Sequence, residues 1–289
     1  MCLIPWESSF SLPVKERDTD KEILLQGKAF LPEGNSISQV NGEDAGNGQG
    51  EKRFPTLCLC HGIPGGTPKT DPSRTNPDED IPQSYRELAR WFSREGFASF
   101  TFNFRGTGES GGNFDLWEWT NDLEAVIRFL RQHPRVDREK IFLVGFSAGA
   151  AVCLYAASRD PEICGAASLA CPADFRLLIN EGNLQEVLVS LRNRGILRDP
   201  DFPRNPKAWM NRALHLRPQE YIRQLSPRPV LIIHGEKDEL IPAEHALRLY
   251  RAASPPKELC LIEGAGHRLR HNKKALTRTL SWLKELIIR

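Results

Sequence analysis

Along this chain, short apolar runs alternate with longer segments in which apolar positions recur every three or four residues, and Gly-rich turns separate the two. The runs are Thr56 to Cys60, Phe97 to Phe104, Ile141 to Phe146, Gly165 to Ala170, Val230 to His234 and Glu258 to Glu263. Helical period marks 84–95, 116–132, 148–158, 243–253 and 273–288. Unbroken apolar runs predict strands buried on both faces. The expected fold class is therefore α/β, a mostly parallel central sheet with helices on both faces. Two stretches break the rhythm. Residues 33–53, rich in Gly, Asn, Ser and Asp, predict a solvated loop joining amino-terminal strands around Glu22 to Leu31 to the first core strand. Residues 172–227 show helical period over 175–191 and again over 209–225, which predicts a helical cap inserted within a single domain spanning 1–289.

Charge removes whole classes of partner. Lys and Arg number 39 against 37 Asp and Glu, so a formal net charge of +2 provides no bulk field for nucleic acid or an anionic membrane. Seven cysteines, an odd number set mostly in apolar runs, read as reduced thiols. Cys58-Leu59-Cys60 lacks metal-ligand spacing, and alternation along a strand would point both thiols to one face. The first thirteen residues show no basic region followed by an apolar one, and no 18 apolar residues run together. A cytoplasmic location is the expectation, with Cys2 as the thiol most open to air oxidation.

Candidate chemistry begins at Gly145-Phe146-Ser147-Ala148-Gly149, where an apolar strand turns straight into a helix. A serine on so sharp a turn is lifted clear of the sheet, and only glycine leaves room beside it. Its hydroxyl is a poor nucleophile at neutral pH and needs a base in reach, itself oriented by a carboxylate. Asp238 follows the strand ending at His234, and His267 follows the strand ending at Glu263 in a small-residue loop. Loops at the carboxyl ends of parallel strands converge on one crevice. Glu236, Glu239 and Asp174 compete for the acid's place, and His234, His245 and His271 for the base's. For His234 a structural role at a strand end is the expectation. Arg105 reads as an ion-pair partner more than as a substrate contact. Gly106-Thr107-Gly108-Glu109-Ser110-Gly111 formally matches a dinucleotide-binding loop, but the acid expected about 20 residues on, after a second strand, falls in a helical segment instead.

The order Ser147, Asp238, His267, with the elbow at 145–149 and His61-Gly62 after the first core strand, resembles the α/β-hydrolase superfamily. Asn103 to Ser110 resembles the loop after the next strand in many bacterial members, although an Asp more often stands at the position of Asn103. Within the superfamily the chain is most similar to small bacterial serine hydrolases of the esterase, dienelactone-hydrolase-like or serine aminopeptidase-like kind. That resemblance implies an α/β-hydrolase fold with a helical cap, a triad of Ser147, Asp238 and His267, and an oxyanion hole formed by the backbone N–H groups of Ile63 and Ala148. It implies His61 as a structural residue orienting the oxyanion loop. The expected activity is hydrolysis of a small to medium carboxylic ester through an acyl-enzyme, without metal or cofactor, on a small-molecule acyl substrate. Thioesters and amides are the alternatives, and a catalytically silent binding protein on the same fold is the alternative of another class.

Overall fold

The computed structural model describes residues 6–16, 21–32, 52–65 and 81–288. Cys2 and most of the 33–53 loop lie outside the described residues. Eight strands among the described residues form one sheet in the order β1-β2-β4-β3-β5-β6-β7-β8. β1 (Trp6–Lys15) and β2 (Glu22–Leu31) pair antiparallel, and β2 pairs antiparallel with β4 (Ala98–Phe102). From there β3 (Phe54–Cys60), β5 (Val136–Phe146), β6 (Gly165–Leu169), β7 (Val230–Gly235) and β8 (Lys257–Ile262) continue in parallel. The central strands are buried along nearly their whole length, as residues covered by helices on both faces must be.

The helices follow the periodic segments closely. α1 (Tyr85–Arg94) starts where the Ser84 side chain accepts the Glu87 N–H at 3.1 Å, a cap that satisfies one of the helix's orphan donors. α2 (Glu118–Gln132), α3 (Ala148–Arg159), α7 (Glu244–Ala252) and α8 (Lys273–Ile288) complete the layers. α3 is built largely of Ala, and this smallness lets it press against the sheet: a Cβ on Gly149 would stand 2.3 Å from the carbonyl oxygen of His61. Two apolar clusters result. One holds Cys58, Cys60 and Cys153 with α2 and α3, and the other holds Leu57, Leu59 and Val144 with α1 and α8. Both thiols of β3 thus do share a face. No described helix is long and apolar enough to cross a membrane.

Helical period overstated the stretch after β6. α4 spans only Leu184–Asn193, because side chains before it compete for the backbone: Asn180 Oδ1 accepts the Gly182 N–H at 2.9 Å, and Asn183 Oδ1 accepts the Asn180 N–H at 2.8 Å. α5 (Pro206–Leu214), α6 (Pro218–Tyr221) and a 3-10 turn over Ile222–Leu225 replace the second expected helix. This segment is fastened to the loop after β4. Asn113 Oδ1 accepts the N–H groups of Arg198 and Asp199 at 2.8 and 2.9 Å, Arg198 Nη2 donates to Gly108 O at 2.8 Å, and Phe114 N donates to Ile196 O at 2.8 Å. Beneath that loop lies a buried charge cluster. Arg105, 3% exposed, meets Asp122 Oδ1 at 2.6 Å and Glu118 Oε2 at 3.1 Å. The ion-pair reading of Arg105 is the one the structure carries.

Candidate active site

Ser147 occupies the turn between β5 and α3 at φ 53 and ψ −125, a backbone region that a residue with a Cβ enters only when its surroundings force it there. Its N–H donates to Leu169 O at 2.8 Å, which ties the elbow to the end of β6. Its hydroxyl makes no cap bond to α3, so it is left to its neighbours. The neighbour is His267, whose Nε2 stands 3.0 Å from Ser147 Oγ. His267 Nδ1 stands 2.8 Å from Asp238 Oδ2. Three residues separated by up to 120 positions meet over the carboxyl ends of β5, β7 and β8.

The Asp238 end of this path is sealed and the His267 end is open. The Asp238 side chain has no exposed surface, whereas that of His267 keeps 21%. The N–H groups of Leu240 and Ile241 donate to Asp238 Oδ1 at 3.0 and 2.8 Å. Burial pushes the Asp238 carboxyl up, but hydrogen bonds from His234, His267 and the Ile241 N–H outweigh it and hold the group well below the usual carboxylate range. The rivals lie elsewhere: Glu236 and Glu239 are exposed, and Asp174 is paired with Arg248. A depressed folded-state pKa contributes stability that is present above the ordinary value of 3.8 and is lost as pH falls below it. Asp238→Asn is therefore expected to lose stability less steeply than the wild type as pH is lowered below about 4, read from urea midpoints at successive pH values.

The loop after β3 closes over the serine. A Cβ at Gly62 would lie 2.9 Å from Ser147 Cβ and 3.5 Å from its Oγ, so only glycine allows this approach. His61 holds the loop in place. Its Nε2 accepts the Phe104 N–H at 3.1 Å, which leaves Nδ1–H to donate to Gly62 O at 2.7 Å. Burial pulls the His61 pKa down to about 4, so the ring serves as a neutral brace. Ile63 follows on that loop, and Ala148 opens α3, where its N–H is one of the four without an intrahelical acceptor.

His234 is the residue that sequence reasoning placed without seeing its use. Its Nε2 stands 3.2 Å from Asp238 Oδ2, on the acid that also faces His267. No periodicity signals this contact, because it depends on the turn after β7 folding back on the strand end. Among the described residues no group of three or more His, Cys, Asp or Glu side chains could hold a metal ion.

A model of the prolyl oligopeptidase family matches residues 83–288. The chain is 29% identical over 181 residues to the uncharacterized protein YfhR of Escherichia coli K12, an overlap of 62% of this chain and 56% of that one. It is 27% identical over 226 residues to the polyketide transferase ATR5 of Stachybotrys chlorohalonatus, covering 63% of this chain and 75% of the relative. The match thus spans little more than half the length of the Escherichia coli protein. The solved structure of the α/β hydrolase GrgF from Penicillium sp. sh18 superposes over 98% of this chain and 99% of that one, at TM-score 0.68 and 18% identity. The fold is that of the α/β hydrolases.

Proposed function

This chain belongs to the prolyl oligopeptidase family, and on that premise we propose that it cleaves a small to medium carboxylic ester by acyl transfer through Ser147. The observation that carries this reading is the unbroken path from Ser147 Oγ to His267 Nε2 at 3.0 Å and from His267 Nδ1 to Asp238 Oδ2 at 2.8 Å. His267 takes the hydroxyl proton as Ser147 attacks the acyl carbon, and Asp238 steadies the imidazolium that results. The N–H groups of Ile63 and Ala148 receive the negative charge that develops on the carbonyl oxygen. His267 then gives its proton to the departing alcohol, and water, deprotonated by the same ring, releases the acid. An amide is the second reading, supported by the family's peptidase membership; it asks the same relay to protonate a poorer leaving group.

A fluorophosphonate probe is expected to label the wild-type protein and not Ser147→Ala. Folded wild-type protein that takes no label, or Ser147→Ala labelled equally, ends the reading. Turnover of an aminoacyl p-nitroanilide exceeding that of p-nitrophenyl esters would replace the ester with the amide.

A further inference from the structure

We propose that His234 is the positioning residue of the acid: with its proton on Nε2, it fixes the Asp238 carboxylate in the orientation that His267 needs. The proposal rests on the reading of Ser147, His267 and Asp238 given above and extends it to a side chain outside that trio. His234 Nε2 stands 2.7 Å from Ile241 O and 3.2 Å from Asp238 Oδ2. Both partners are acceptors, so Nε2 carries the proton, with Ile241 O as the nearer acceptor and Asp238 Oδ2 as the longer second one. Nδ1 is buried without a hydrogen-bond partner, and the side chain is sealed from solvent. A second proton, placed on Nδ1, would meet no acceptor.

An orphaned ring nitrogen in a core is a standing cost, which an apolar side chain of similar size would avoid. The Nε2–H bond to the acid is the return on it. Asp238 then receives four N–H donors, two on each oxygen. Leu240 and Ile241 hold Oδ1 from the turn, while His234 and His267 share Oδ2. Without His234, Oδ2 would be held only by the imidazole it has to orient. The other charged or titratable groups packed on this corner are committed elsewhere: His245 Nδ1 accepts the Ala173 N–H at 3.0 Å, and Arg248 pairs with Asp174.

Two substitutions separate positioning from packing. His234→Phe keeps the ring volume and removes the donor, whereas His234→Gln presents an amide N–H at similar reach. His234→Phe is expected to lower kcat roughly tenfold to a hundredfold, with KM changed less than about twofold. His234→Gln is expected to restore most of the lost kcat. Independently of turnover, nitrogen-15 histidine spectra of the wild-type protein are expected to show His234 as the Nε2–H tautomer. Folded His234→Phe with wild-type kcat overturns the proposal, as does an Nδ1–H tautomer. If His234→Phe does not fold, His234→Gln and the spectra decide. Wild-type protein unreactive toward fluorophosphonate would end the ester reading while leaving the tautomer to decide for His234.

Discussion

Ser147→Ala is expected to lose roughly a hundred-thousand-fold or more in kcat on a p-nitrophenyl ester while remaining as stable as the wild type to within about 1 kcal/mol. The large loss follows from the relay: with Oγ gone, His267 Nε2 has no hydroxyl at 3.0 Å to deprotonate. The small change in stability follows from the local structure. Alanine keeps the Cβ, so it meets the same backbone penalty at φ 53, and no cap bond to α3 is given up because none is made. Paired measurement of kcat and urea midpoint tests both halves. A variant with near wild-type turnover would remove Ser147 from the chemistry, and one that unfolds readily would make the hydroxyl structural.

The largest effect on stability is expected at Arg105, outside the relay of Ser147, His267 and Asp238. Arg105→Met should destabilise the protein by about 3–5 kcal/mol, a fall of roughly 10 °C in Tm. The guanidinium donates through Nε and Nη2 to Asp122, which is wholly buried, and through Nη1 to Glu118, and the Arg105 backbone N–H adds a bond of 2.9 Å to Asp122 Oδ2. Removing the cation leaves the Asp122 carboxylate in the core with backbone support alone. Replacing Arg105 together with its acidic partners, as in Arg105→Met with Asp122→Leu and Glu118→Gln, should recover much of the loss, because the burden lies in the unpaired charge more than in the missing pair. Thermal melts of the two variants check this, and a single variant as stable as the wild type would refute it.

What could be read in the sequence depended on how local each requirement is. The elbow was legible because a turn that forces a residue with a Cβ to φ 53 has few residues beside it that fit, and Gly145 and Gly149 mark it. Asp238 and His267 were legible through their place after strands, since parallel strands deliver their following loops to one edge. β1 was not. Its small and polar residues (WESSFSLPVK) hide the inward alternation of Phe10, Leu12 and Val14, and its pairing with β2 comes from tertiary context. The contact of His234 with Asp238 was hidden for a related reason. Position 234 reads as the last apolar-side residue of a strand, and only the fold of the turn aims its ring at the acid. Over 175–183 the apolar spacing was real, but Asn180 and Asn183 bond the backbone themselves and keep it from winding.

The fastening of the segment after β6 to the loop after β4 bears on how this scaffold could be re-engineered. Arg198 and Asp199 meet Asn113, and Arg212 reaches Asp115 Oδ2 at 3.2 Å, across sequence separations of 85 to 97 positions. A graft that imports residues 172–227 from a relative while leaving 103–115 untouched would strand the Asn113 amide and the carbonyls that Arg198 now serves. The two stretches are one transplantable part written in two places, and a library that shuffles them together keeps a seam that shuffling either alone would tear.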